Sequence, residues 1–272
     1  MCMRCAIYQV DAFTSELFRG NPAAVVPLDR WLDDEVLQAI AQENNLSETA
    51  FIVASDDEAH DFDIRWMTPA AEVKLCGHAT VGAAHVLYEH LGFQRSVIRL
   101  HSKSGTLEVS RDDEGKIELD FPEIEIERLE ATEVLIDALG VKPSEVYDSY
   151  YLICVFENEA QIRRLDPDFR KLLGVPEVCA IGVTAPGDDC DFVARLFAPA
   201  VGIDEDPVTG SLYTMLTPYW AKRLGKQRMH ARQVSRRSGD LIVGVSPDVP
   251  GRVTIAGHAV TYMTGEIELP GG

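Results

Sequence analysis

Nowhere in this 272-residue chain does an apolar run approach the roughly 18 residues that a membrane helix needs, so no membrane span is expected. Basic residues are scarce. Lys and Arg number 25 against 44 Asp and Glu, a formal charge of −19. That excess repels nucleic acid and anionic lipid, and neither is expected as a partner. It reads either as a solvated acidic surface or as salt adaptation. The opening stretch, 1–10, lacks the charged-then-apolar pattern of a secretory leader and reads as a strand, which leads to the expectation of a cytoplasmic location. Six cysteines, Cys2, Cys5, Cys76, Cys154, Cys179 and Cys190, are scattered through a chain long enough to bury its own core, and free thiols are expected. Cys2 and Cys5 form a lone Cys-x-x-Cys with no second pair and no nearby histidine; zinc normally takes four ligands, so no metal is expected there.

What the chain has in their place is self-similarity. Asp61-Phe62-x-x-Arg65-x-x-x-Pro69-Ala70 returns as Asp191-Phe192-x-x-Arg195-x-x-x-Pro199-Ala200, 130 residues on. At the same offset, Ala50-Phe51-Ile52-Val53 falls over Ala180-Ile181-Gly182-Val183. Gly77-His78 falls over Gly210-Ser211 at 133, and Ser104-Gly105-x-Leu107-x-Val109 over Ser238-Gly239-x-Leu241-x-Val243 at 134. Matches in this order, with a slowly growing offset, indicate a duplication, and units of about 130 residues are domains rather than solenoid repeats. The expected division is a first domain over 1–122, joined by a C-terminal strand at 259–269, and a second over 123–258.

Alternating and β-branched runs predict strands at 5–13, 23–28, 49–54, 61–67, 97–101, 105–110 and 116–121, then at 149–155, 178–183, 191–197, 229–235, 239–245 and 252–257. Surface helices are predicted at 32–43, 131–139 and 158–173. The stretch 77–90 has almost no polar face, so its helix is enclosed; its counterpart 210–223 contains Pro218, which removes a backbone donor and should kink it. The predicted fold class is α+β: two pseudo-twofold-related domains, each a curved, mostly antiparallel sheet around a central helix.

Both enclosed helices begin with glycine followed by a small polar or titratable residue. A helix start carries unpaired N–H groups and attracts a carboxylate or phosphate, and glycine lets a ligand approach the backbone. Two domains about a pseudo-twofold axis would aim the Gly77 and Gly210 starts at one cleft, a natural site for a small anionic acid. His78 reads equally as part of such a site or as a cap or buried imidazole. Ser211 alone is a routine N-cap. Asp206 lies in an acidic loop, Asp204-Glu205-Asp206, that is either solvated or orders a histidine or holds a substrate cation. Glu48, between Leu46 and an apolar strand, is either a surface residue or a poorly hydrated carboxyl pushed up toward the range useful for passing a proton; its expected counterpart, Val178, is no acid. Cys76 precedes Gly77, where the helix start should lower a thiol pKa. Its counterpart is Thr209, so an epimerase with two opposed thiols is not supported.

Four motifs in order carry a resemblance across essentially the whole chain: Val10-Asp11-Ala12-Phe13 with Gly20-Asn21-Pro22-Ala23, Leu46-Ser47-Glu48-Thr49-Ala50-Phe51, Cys76-Gly77-His78-Ala79-Thr80, and Glu205-Asp206-Pro207-Val208-Thr209-Gly210-Ser211. Together they resemble the PhzF-like phenazine-biosynthesis family, relatives of diaminopimelate epimerase and proline racemase. The resemblance implies two diaminopimelate-epimerase-like domains, a homodimer, no cofactor, and an isomerase that moves a proton within a small carboxylic acid. It implies Glu48 as acid/base, His78 and Asp206 as orienting or protonating groups, and Ser211 with the Gly77 and Gly210 backbone as the carboxylate holder. Cys76 matches a catalytic thiol of the epimerases. Leu212 and Tyr213 are bulkier than is common after Ser211, which leaves the substrate open. A noncatalytic metabolite- or partner-binding protein and a thiol epimerase using Cys76 remain the alternatives.

Overall fold

In strand β1 (Met3–Ala12) the chain begins a ladder that it extends antiparallel with β2 (Asn21–Leu28), Tyr8 opposite Val25. Helix α1 (Asp34–Asn44) then carries it back, so that β3 (Glu48–Ala54) lies parallel to β2 with Ala23 opposite Glu48. A parallel neighbour cannot be reached by a tight hairpin, and the helix supplies the crossover. Strand β4 (Phe62–Met67) returns antiparallel and β5 (Glu72–Val73) adds a short edge. Helix α2 (Gly77–Glu89) crosses to β6 (Val97–Ser102), parallel to β4, and β7 (Gly105–Arg111) and β8 (Ile117–Pro122) finish a meander.

The alternation of strand side chains explains why β2 is apolar throughout. Ala24 and Val26 join Leu37, Ile40 and Phe51 in a core under α1. Residues of the other parity, Ala23 and Val25, lie with Val10 against the middle of α2, within 3.6–3.8 Å of where a Cβ on Gly82 would stand. A strand covered on both faces has no polar side. Helix α2 is buried along almost its whole length, from His78 to Leu87, as its lack of a polar face predicts.

The chain then repeats the plan with β9 (Glu127–Leu129), α3 (Glu133–Leu139), β10 (Glu145–Asp148), β11 (Leu152–Val155), α4 (Glu159–Arg164), α5 (Phe169–Leu172), β12 (Ile181–Pro186) and β13 (Phe192–Ala198). There follow β14 (Ile203–Asp206), a 3-10 turn at Gly210–Leu212, α6 (Tyr213–Leu224), β15 (Arg228–Gln233), β16 (Gly239–Val245) and β17 (Arg252–Gly257). The parallel steps recur at matching places, β11 with β12 and β13 with β15, while β9 with β10, β10 with β11, β12 with β13, β13 with β14 and β15 with β16 are antiparallel. The last strand, β18 (Ala259–Leu269), runs antiparallel to β1 along its full length. This computed structural model describes residues 3–176, 178–246 and 249–269, so Cys2 lies outside the described residues; Cys5 is a buried free thiol in β1. The chain divides into two units, Met1–Asp120 with Ala256–Gly272, and Phe121–Ile255.

Several expectations are corrected. The helix predicted over 158–173 is two short helices, because Pro167 interrupts the ladder and Asp168 starts afresh as a cap, accepting from the N–H groups of Arg170 and Lys171. The helix predicted from 210 opens as the 3-10 turn and becomes α-helical only at Tyr213; Pro218 is accommodated inside it. Strands β5, β9, β10 and β14 carry too few residues for a periodicity to register. The sheet register also moves the alignment of the repeats. Arg65 lies opposite Phe51 and Arg195 opposite Val183, so β12 matches β3 at 132 rather than 130, and the counterpart of Glu48 is Ala180, not Val178. Among the described residues no helix is long and apolar enough to cross a membrane.

Candidate active site

Three of the candidate residues meet inside the first unit. Asn45 caps the C-terminus of helix α1, and its left-handed backbone (φ 49°) turns the chain so that Glu48 can open β3. Cys76 is the extended residue before α2, and His78 is the second residue of that helix. The His78 Nε2 atom stands 3.1 Å from Glu48 Oε2, with the two side chains only 7% and 17% exposed. The approach is an ion-pair contact rather than an aligned hydrogen bond: neither atom completes one among the described residues. On the other edge of the ring, Nδ1 lies 3.5 Å from Cys76 Sγ and 3.3 Å from Asn21 Nδ2.

Among the described residues no side chain caps the start of α2, whereas Thr132, Asn158 and Asp168 cap α3, α4 and α5. Its first N–H groups therefore keep the positive potential that draws an anion. The capping role left open for His78 is not the one it fills. Gly20 makes the approach of Asn21 possible: its φ is +63°, and a Cβ there would stand 2.1 Å from the Ala12 carbonyl oxygen. Asp11 locks the same loop, its Oδ2 accepting from the Phe18 N–H at 3.0 Å.

The electrostatics invert two expectations. Burial pulls the Glu48 carboxyl up, but the neighbouring His78 outweighs it and the net direction is down. The local sequence shows the apolar setting of the acid but not the imidazole that arrives from α2. Burial raises the Cys76 thiol, and the Glu48 carboxylate raises it further, overcoming the helix start that should have lowered it. Burial alone would push His78 down, yet hydrogen bonding to Cys76 and the carboxylate of Glu48 hold it well above the ordinary histidine value.

Glu48, Cys76 and His78 offer one ligand atom each within 4.8 Å of one another, a set that suits a metal by donor type. However, the ring meets the thiol at Nδ1 and the carboxylate at Nε2. An ion bound at one ring nitrogen uses only that edge, so the arrangement fits proton exchange across the ring better than chelation.

Asp206, Ser211 and Gly210 belong to the second unit. Asp206 ends β14 and its Oδ2 accepts from the Thr209 hydroxyl at 2.5 Å. Buried Gln233 clasps the same loop, donating to the Asp206 carbonyl at 2.8 Å and accepting from the Thr209 N–H at 2.9 Å. The Ser211 and Tyr151 hydroxyls are 2.9 Å apart, and burial raises the Tyr151 phenol. Gly210 opens a 3-10 turn of three residues, so it is no structural equal of Gly77, which begins an α-helix of 13. Reading the sequence singled out none of Tyr151, Gln233 or Asn21 as site residues. Asn21 alone left a signal, a polar residue between glycine and proline in the first motif.

Two α+β repeats of this kind define an epimerase-like fold. A hydroxyproline epimerase structure from Agrobacterium vitis superposes with a TM-score of 0.63, covering 98% of this chain and 93% of that one, at 12% identity, which speaks for the fold alone. The family model described as phenazine biosynthesis-like protein matches residues 10–265. A crystal structure of a PhzF-family phenazine biosynthesis protein from Enterococcus faecalis is similar at a TM-score of 0.93 and 42% identity, covering 97% of this chain and 99% of that one. An uncharacterized isomerase of Pseudomonas aeruginosa is 47% identical over 268 residues, 98% of this chain and all of its own. The phenazine biosynthesis-like domain-containing protein of Homo sapiens is 39% identical over 290 residues, 97% of this chain and 99% of its own. The chain belongs to the phenazine biosynthesis-like protein family.

Proposed function

We propose that the protein is a cofactor-independent isomerase that moves a proton within a small carboxylic acid, with Glu48 as the acid/base. Full-length relatives named isomerases support the reaction class. The observation that carries the reading is the buried pair of Glu48 Oε2 and His78 Nε2, 3.1 Å apart at the uncapped entrance of α2 and completing no hydrogen bond with another described residue. The lowered Glu48 pKa keeps that carboxyl ionised near neutrality, as a base must be. The N–H groups at Gly77 and His78 suit a substrate carboxylate. Glu48 takes a proton from one carbon, the electron pair left behind spreads into the conjugated acid, and the protonated Glu48 returns the proton to a second carbon. His78 stabilises the carboxylate before and after each transfer, and no electrons are gained or lost.

The test is deuterium incorporation from heavy water across a panel of small unsaturated and amino carboxylic acids. Exchange that Glu48→Gln abolishes and a chelator leaves intact is expected; full exchange in Glu48→Gln would sink the role. Saturable binding without exchange in any member of the panel would favour a noncatalytic binding protein.

Cys76 supports a second reading, since its sulfur reaches the same imidazole. A thiol epimerase needs a thiolate, and the raised pKa argues against one at neutral pH. Racemisation lost in step with alkylation of Cys76, and lost in Cys76→Ser, would revive it.

A further inference from the structure

Asn21 opens β2 with its side chain entirely enclosed, directly after the glycine whose left-handed turn brings it to His78. A buried imidazole in its neutral form carries a single proton, and the nitrogen that bears it is set by what the other nitrogen meets. Here Nδ1 faces two groups that can donate to it. The Asn21 amide nitrogen, 3.3 Å away, can only donate. The Cys76 thiol, 3.5 Å away, keeps its own proton because burial and Glu48 raise its pKa. Glu48 stands on the opposite edge, 3.1 Å from Nε2.

We propose that Asn21 is a positioning residue for His78: by donating its amide N–H to Nδ1 it confines the proton of the neutral ring to Nε2, the nitrogen that faces Glu48. The proposal deepens the acid/base reading and rests on it for its purpose, though not for its test. Without that bias the neutral ring could place its lone pair against the Glu48 carboxylate, two acceptors 3.1 Å apart, which is repulsive in a buried site. With it, Glu48 always meets an N–H. When the ring takes up a second proton at Nδ1, the same amide can turn its oxygen to that nitrogen, a rotation open to asparagine and closed to aspartate or leucine.

Nitrogen-15 NMR of the imidazole side chains reads the tautomer directly, with no substrate needed. The His78 signals are assigned by their loss in His78→Gln. In the native protein, above the pH at which His78 titrates, His78 is expected as the Nε2–H form. In Asn21→Asp, whose carboxylate can only accept, the proton should move to Nδ1 and the titration should shift up by about one pH unit or more. In Asn21→Leu combined with Cys76→Ala, which removes both donors, a mixture of the two tautomers is expected. A native Nδ1–H form would overturn the proposal without any variant, so a misfolded Asn21 variant does not rescue it. So would an imidazolium that persists as far as the fold survives, or an unchanged tautomer in folded Asn21→Asp. Deuterium exchange separates the two ideas: activity in Glu48→Gln defeats the acid/base reading whatever the tautomer, and the wrong tautomer defeats the Asn21 role whatever the activity.

Discussion

The two units keep the same anchors and differ in their chemistry. In the first, Arg65 grips Glu72 through two parallel bonds of 2.9 and 2.8 Å; in the second, Arg195 grips Glu205 through bonds of 2.7 and 3.0 Å. Asp61 exchanges backbone and side-chain bonds with Arg99 in the adjoining strand, and Asp191 does the same with His230, each bond 2.8 Å long. Arg95 and Lys226 add a cation to the respective aspartates. The residues that advertise the duplication are thus the ones that hold helix-crossed strands in register. Where the first unit has Glu48, Cys76 and His78, the register and motifs of the second give Ala180, Thr209 and Ser211. Identity between the repeats marks scaffold, and the proposed site lies where identity is lost.

If that division is right, the largest effect should follow from the position that departs most. Glu48→Gln should lower proton exchange by about 100- to 10,000-fold, the span for loss of a positioned acid/base. Ala180→Ser in the second unit, a small change at a buried position, should leave the rate near native, and equal losses in the two would erase the asymmetry. The anchors should respond in stability rather than turnover. Arg195→Ala removes a bidentate pair and strips donors from the carbonyls of Ile162 and Leu165. It is expected to cost about 3 kcal/mol in urea unfolding, the low end for a broken buried pair. Arg65→Ala should cost less, about 2 kcal/mol, within the usual span for a point substitution, because its remaining partner, Asp34, is exposed. The reverse order would show that the second anchor is not the more deeply tied.

The sequence exposed the scaffold more readily than the site, for reasons visible in individual residues. Asp61 and Arg65 recur with their spacing intact, so the repeat was legible from letters alone. The enclosure of α2 followed from the run Ala79 to Leu87. The reading of Glu48 as an incompletely hydrated carboxyl matches its partial burial, but the direction of its pKa did not follow, because His78 is 30 residues away in the chain and 3.1 Å away in space. Asn21 is further still, at 57 residues from the ring it meets. The two-residue change of alignment in β12 was also hidden, since apolar strands match one another at several offsets and only the pairing with Arg195 decides.

Two buried glycines, one in each unit, sharpen the comparison on a smaller scale. A Cβ on Gly182 in β12 would stand 2.6 Å from Leu212 Cδ1 and 2.9 Å from Ile153 Cδ1. Gly182→Ala should therefore cost about 1–2 kcal/mol through overpacking. In α2, a Cβ on Gly82 would meet nothing closer than 3.6 Å. Gly82→Ala should be neutral or stabilise by up to about 1 kcal/mol, since alanine removes the helix penalty of glycine. Opposite signs in thermal unfolding are the expected result; two destabilised variants would mean that α2 is packed more tightly against β1 and β2 than these distances allow.

The smallest effect expected is a pH dependence that the first unit carries through Glu48 and His78. Glu48 has a folded pKa below its ordinary 4.5, so its contribution to stability is present above 4.5 and is lost as pH falls through the folded value. His78 has a folded pKa above its ordinary 6.5, so its contribution is complete below 6.5 and is lost as pH rises through the folded value. The pair therefore stabilises most fully between pH 4.5 and 6.5 and fades on both sides. In His78→Gln the buried carboxyl loses its partner, and the stability difference from the native protein should peak in that window. A difference that stays flat from pH 4 to 9 would mean that the two groups do not act on each other, and the chemical distinction between the units would then need another source.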